Sequence, residues 1–191
     1  MAMNVLHRRI CSSPKWAAAI QERLAGWLPT AGIGTDVVEI GPGYGATTAE
    51  LLRHCERLTA VELDPVLADG LERRFGPAVT VVRASGADTP LPDAAYTGVV
   101  CFTMLHHVPN AAEQDRIFAE AYRLLRPGGV FAGSDSRLSL RFRLLHVRDT
   151  MVVVDPATLP DRLRRAGFTD VAVTAEPKRP LTFRAVRPTG G

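Results

Sequence analysis

Residues 37–52 read VVEIGPGYGATTAELL, and the fold turns on how this stretch divides. Val37, Val38 and Ile40 make an apolar run of strand length. Gly41, Gly43 and Gly45 then punctuate a turn, with Pro42 between the first two. Ala46, Ala49, Leu51 and Leu52 follow at helical spacing. A strand, a tight glycine turn and a helix form a corner suited to nucleotide-like ligands. Glycine at 41 and 43 lets the backbone turn sharply and come close to a ligand. A helix starting near Ala46 presents free N–H groups and a positive dipole end.

Outward from this corner, strands and helices alternate. On the N-terminal side, residues 12–28 predict a helix, capped by Ser12 or Ser13 with Pro14 in its first turn. On the C-terminal side, strands are expected at 57–63, 78–82, 96–102 and 130–135. Helices are expected at 65–75, 111–125 and, after a turn, within 156–168. Residues 169–176 and 181–187 read as two strands joined by PKRP, an antiparallel hairpin at a sheet edge. The expectation is an α/β fold: a Rossmann-like, doubly wound, mostly parallel seven-stranded sheet that ends in an antiparallel hairpin. Residues 136–154 alternate apolar and basic residues, yet Leu138, Phe142, Leu144 and Leu145 would also stripe a helix. This segment is expected to be an irregular or partly helical flap over the mouth of the site. The whole of 1–191 reads as one domain, with 1–30 as an N-terminal helical segment.

Composition narrows the class. Hydrophobic residues at 46% and charged residues at 23% are ordinary for a globular chain. No apolar stretch has the length of a membrane span, and no apolar run follows the basic N-terminus, so the expectation is a cytoplasmic protein without a membrane partner. The net charge of +3 does not call for a nucleic acid partner. Cys11, Cys55 and Cys101 are scattered without a CxxC pair, which speaks against zinc and against a disulfide scaffold. No motif requires a metal, and oligomeric state is not legible.

Two carboxylates refine the corner. Glu62 lies 21 positions after Gly41, at the tip of the second strand. A carboxylate there can accept hydrogen bonds from both hydroxyls of an adenosine ribose. Asp64, just before Pro65, reads as the cap of the next helix. Glu39 sits beside the glycine turn, where a pyrophosphate would meet it unfavourably. It suits a ligand carrying an ammonium group.

Six segments in order then carry a resemblance: VVEIGPGYG (37–45), TAVELDP (59–65), TPLPDAAYTGVV (89–100), FTMLHHVPN (102–110), EAYRLLRPGGVF (120–131) and RLRRAGFTDVAV (162–173). The chain resembles the class I S-adenosylmethionine-dependent methyltransferases, most closely the small bacterial type with LHHV and LRPGG motifs. The resemblance implies S-adenosylmethionine as cofactor and a small-molecule acceptor, methylated at oxygen. It also implies roles. Glu39, Gly41, Pro42, Gly43 and Gly45 would line the methionine half of the cofactor, Glu62 would hold the ribose, and Leu63 would lie against the adenine. Ser85, Gly86, Ala87 and Asp88 would face the adenine edge, with either Ser85 or Asp88 meeting the amino group. Tyr96 and Thr97 stand where the family often has Phe-Asp.

Phe102, Thr103 and Met104 leave the carboxyl end of the fourth strand, where open α/β sheets place ligands. Methyl transfer needs alignment and exclusion of water more than special side chains. An oxygen acceptor needs only to lose a proton, so His106 and His107 are the catalytic candidates. His106 is the one expected to face the pocket, and His7 and His146 are expected at its mouth. Three other readings stay open. An RNA adenine methyltransferase would need an Asn-x-Pro-aromatic sequence where FTML stands, though Arg137, Arg141, Arg143 and Arg148 form a basic run. A nicotinamide-dependent oxidoreductase fits Glu39 poorly. A non-catalytic cofactor- or partner-binding module would share the glycine corner.

Overall fold

The computed structural model describes residues 4–147, 149–177 and 179–190. Arg148 of the basic run and Lys178 of the PKRP turn lie outside these residues. Three helices lead in: α1 (Val5–Cys11), α2 (Pro14–Ala25) and α3 (Leu28–Ala31). Within the expected N-terminal helical segment, α1 forms a separate helix ahead of the one expected at 12–28. Its signal was Asn4, whose side chain accepts the His7 N–H at 2.9 Å as an N-cap. Ser13 caps α2 in the same way, accepting from Trp16 at 3.2 Å.

The strands are β1 (Asp36–Ile40), β2 (Arg57–Val61), β3 (Thr80–Val82), β4 (Tyr96–Phe102), β5 (Leu125–Asp135), β6 (Thr169–Thr174) and β7 (Leu181–Val186). Between them run α4 (Ala46–Leu51), α5 (Pro65–Phe75), α6 (Ala111–Leu124), α7 (Leu140–Leu145) and α8 (Leu159–Arg165). The sheet order is β3-β2-β1-β4-β5-β7-β6. The first five strands pair in parallel, and β7 pairs antiparallel with both β5 and β6. The mostly parallel, seven-stranded, Rossmann-like sheet with its terminal hairpin is thus present. The chain order reverses between β1 and β4, so the crevice beyond their carboxyl ends is the switch point.

Alternation along the strands builds a core on each face. Val38, Val99 and Phe131 join one apolar cluster, with Phe118 and Leu163. Their neighbours Val37, Val100, Val130 and Ala132 join the other, with Ile20 and Leu24 of α2. Close strand contact requires glycine at Gly133. A Cβ there would stand 2.2 Å from the Cys101 carbonyl oxygen and 2.8 Å from the Phe183 ring. Backbone cannot yield as a side chain does, so Gly133→Ala is expected to cost roughly 3 kcal/mol or more. A denaturant midpoint unchanged from the parent would contradict that.

One boundary differs from expectation for a physical reason. The strand β5 starts at Leu125 rather than at residue 130, and the PGG segment is an irregular stretch inside it. Arg187 fills the gap, donating from Nη1 to the Tyr122 and Leu125 carbonyls that end α6. The Thr97 hydroxyl accepts the Asp36 N–H at 2.9 Å, tying the start of β4 to β1.

Candidate active site

A cleft opens at the switch point. Its free space is about 810 Å³ when the open mouth is included. The glycine corner forms one wall. Gly41, Gly43 and Gly45 all have positive φ, at 68°, 58° and 74°. Gly41 and Gly45 are also confined by packing: a Cβ would stand 3.1 Å from the Met104 side chain or 2.6 Å from the Phe75 ring. A Cβ on Gly43 would meet nothing within 4 Å, so this glycine faces open space in the cleft. Arg74 steadies the turn from outside, donating to the Tyr44 carbonyl at 2.7 Å.

Glu62 shapes that wall. It is 4% exposed. Its Oε2 accepts the Gly43 N–H at 3.0 Å and its Oε1 the Asp64 N–H at 3.0 Å. An ionised carboxylate has about four acceptor sites, so each oxygen keeps capacity for a ligand hydroxyl. Leu63 beside it is 58% exposed and offers the cleft an apolar face. Asp64 caps α5, accepting from Val66 and Leu67.

Glu39 lies behind the turn rather than on the cleft wall. It is 1% exposed and accepts the hydroxyls of Thr47 and, at 2.6 Å, Thr48. Burial pushes its pKa up to about 7; the two threonine bonds oppose the shift and the Glu62 charge adds to it. Ser85, Gly86, Ala87 and Asp88 form one turn after β3, closed by the Asp88 N–H on the Ser85 carbonyl at 3.1 Å. The structure does not bring this turn onto the cleft wall, nor Gly45. Gly86 packs against Ile40, where a Cβ would stand 2.3 Å from the side chain.

Further lining comes from β4 and the N-terminal helices. Phe102, Thr103 and Met104 line the cleft together with Cys11, Trp16 and Ile20. Thr103 has φ of 52°, a left-handed conformation uncommon for a non-glycine residue and often found at functional sites. Its N–H donates to the Ser134 carbonyl at 2.8 Å. Nothing in the sequence signals this strain.

The two histidines divide their positions. His107 lines the cleft, and His106 stands behind it, with ring centroids 4.1 Å apart. The ring of His106 is bonded through Nδ1 to Asp135, a fully buried carboxylate that also accepts the His106 backbone N–H at 3.1 Å. His107 is held neutral: burial first, then the neighbouring imidazoles of His106, His7 and His146, push its pKa down to about 2. A ring in that state accepts a hydrogen bond but carries a proton poorly. Burial lowers His146 as well, against its bond to the Phe142 carbonyl. His7 and His146 are buried beside His107 rather than exposed at a mouth. His54 is a helix-surface residue bonded to Glu50 at 3.1 Å.

Comparison with known proteins fits this geometry. A family profile described as "Methyltransferase domain" matches residues 38–133, about half the chain, from within β1 to within β5. A protein of Mycolicibacterium smegmatis, described as a probable S-adenosylmethionine-dependent methyltransferase, is 30% identical over 141 residues, 71% of this chain and 52% of that protein. A probable ribosomal RNA small subunit methyltransferase A of Natronomonas pharaonis is 38% identical over 79 residues, 39% of this chain and 29% of its own. The crystal structure of a SAM-dependent methyltransferase from Archaeoglobus fulgidus superposes with TM-score 0.72 at 17% identity, covering 89% of this chain and 94% of that one. The chain belongs to the family of S-adenosylmethionine-dependent methyltransferase domains. It spans about half the length of the M. smegmatis relative. Among the described residues no helix is long and apolar enough to cross a membrane.

The residues present fit that cofactor. Gly43 leaves room for close approach, Glu62 has acceptor capacity facing the cleft, and Leu63 supplies an apolar face.

Proposed function

We propose that the chain transfers a methyl group to an oxygen of a small-molecule acceptor. The observation that carries this reading is the cleft itself, lined together by the glycine corner, Glu62, Phe102, Met104, His107 and residues of the N-terminal helices. When bound, S-adenosylmethionine supplies the reactive methyl and a good leaving group. Glu62 accepts from the ribose, Gly41 and Gly43 let the backbone approach the methionine half, and Leu63 stacks on the adenine. Pro42 and Gly45 hold the turn's shape. Glu39 acts from behind the turn, its negative charge favouring the ammonium end. Ser85 or Asp88 meets the adenine edge, with Gly86 and Ala87 keeping their turn close to Ile40. Phe102 and Thr103 separate cofactor from acceptor.

At the acceptor side, His107 offers a ring nitrogen to the acceptor's hydroxyl, and the apolar wall of Trp16, Ile20 and Met104 excludes water. His106, held by Asp135, acts on His107 as a positioning residue. The acceptor oxygen loses its proton to water, because His107 holds one poorly, so an acidic oxygen, in a phenol or carboxylic acid, suits this site.

An RNA acceptor is the second reading, supported by the names of partial relatives. Two features weigh against it. Phe102-Thr103-Met104 has no amide to grip an adenine amino group. Arg137 of the basic run is engaged, donating to the Ala175 and Glu176 carbonyls at 3.0 and 2.7 Å.

The test is a panel of phenols, carboxylic acids, amines and a ribosomal RNA helix, incubated with methyl-labelled cofactor. Label on an oxygen acceptor, absent with Glu62→Ala, is expected. Label on RNA alone, or on amines alone, would reject the reading. His107→Phe is expected to keep cofactor affinity within about threefold and to lower turnover at least about tenfold. Equal turnover would remove His107 from the chemistry.

A further inference from the structure

His7, His107 and His146 are far apart in sequence and meet in space. Each is buried, at 3%, 9% and 4% exposure. One possible ligand nitrogen from each lies within 4.8 Å of the other two. Ring centroids are 4.3 Å apart for His7 and His146, and 5.0 Å for His7 and His107. Ordinary core packing does not explain three imidazoles gathered away from water. It leaves a cost, because His146 Nε2 is buried with no hydrogen-bond partner.

The other ring nitrogens are all engaged by oxygen. His7 Nδ1 meets Asp149 Oδ2 at 2.9 Å. His146 Nδ1 donates to the Phe142 carbonyl at 2.8 Å. A ring nitrogen of His107 bonds to the backbone of Thr150. An oxygen partner on one ring nitrogen fixes the tautomer and leaves the lone pair of the other free. Metal-bound histidines are held this way, by a carboxylate or a carbonyl.

We propose that His7, His107 and His146 form a binding site for a divalent transition-metal cation of the zinc class. Imidazole suits these ions. Tetrahedral bonds of about 2.0–2.1 Å put the nitrogens about 3.3 Å apart, so ring rotations must draw the trio together. Three protein ligands leave a fourth position for water or another oxygen. His107 belongs to both the trio and the cleft wall, so this position is within reach of the cleft. If the methyl-transfer reading holds, it could take the acceptor's oxygen; the site itself stands without that reading. The three ligands come from α1, the loop after β4 and the end of α7, so the ion would also pin the N-terminal segment and the flap to the sheet.

The test uses the full chain, stripped with chelator and dialysed, with no cofactor or acceptor present. Zinc is titrated by calorimetry, and cobalt(II) by absorption. One equivalent per chain is expected, with cobalt bands of a four-coordinate nitrogen site. His7→Ala and His146→Ala should weaken zinc at least about 100-fold, and Asp149→Asn about 10–100-fold. His54→Ala, outside the cluster, should change nothing. Circular dichroism and cofactor affinity report whether each variant is folded, and His146→Gln serves where the alanine form is not. A folded parent that takes up no zinc would overturn the site, and so would equal affinity in folded His146 variants. Cofactor binding and methyl transfer without zinc uptake would end this proposal and leave the proposed function intact.

Discussion

Glu62→Ala is expected to weaken S-adenosylmethionine binding about 100-fold or more, because two charge-assisted hydrogen bonds are lost at roughly 1.5–3 kcal/mol each. The carboxylate has two jobs, since it also accepts the Gly43 and Asp64 N–H groups that shape the turn. Glu62→Gln separates them. It keeps one acceptor oxygen and nearly the same volume, so it should bind between the parent and the alanine form. Calorimetry with S-adenosylmethionine, its demethylated product and NADH decides the matter. Parent-like affinity in Glu62→Ala would remove Glu62 from the site. Binding of NADH alone would point to a different cofactor.

The second large effect concerns Glu39 and pH. Its pKa stands at about 7 in the fold against an ordinary 4.5. Between those values the folded chain holds a proton that the unfolded chain has released. The folded state therefore binds more protons, and stability falls as pH rises through this window. The full span corresponds to about 3 kcal/mol at most. Glu39→Gln should flatten that part of the curve, which urea titrations from pH 5 to pH 8 would show (roughly the range the linkage covers). An ammonium group on the ligand favours the ionised carboxylate. Cofactor binding near neutral pH should then release a proton, seen as a dependence of binding heat on buffer ionisation. An unchanged pH slope in Glu39→Gln would mean that Glu39 is already ionised in the fold.

Much of the architecture was legible because parallel strands buried on both faces read as short apolar runs. The runs at 37–40 and 96–102 mark β1 and β4 closely. The glycine corner was legible because positive φ demands glycine, and all three glycines there have it. Residues that act only through tertiary contact were not. His7, His107 and His146 share no spacing, so no local pattern could join them. Glu39 was expected on the cofactor's surface, yet Thr47 and Thr48 draw its carboxylate behind the turn. The segment 136–154 was ambiguous because its apolar and basic residues fit two periods. The short helix α7 is settled by Ser139, whose hydroxyl accepts the Phe142 N–H at 3.1 Å. Arg187 was read as the end of a strand, while its side chain closes the end of α6.

The contacts of Asn4 and His7 with Asp149 have a consequence for the order of assembly. These partners stand 145 and 142 positions apart. On a nascent chain the first helix must wait until Asp149 has been made. Contacts with such long loops form late. With His7 the one buried residue among 6–11, we expect this segment to dock last and to open first. Amide exchange at residues 5–11 should then outpace that of β1 and β4, and the wall formed by Cys11 should be the way in and out of the cleft.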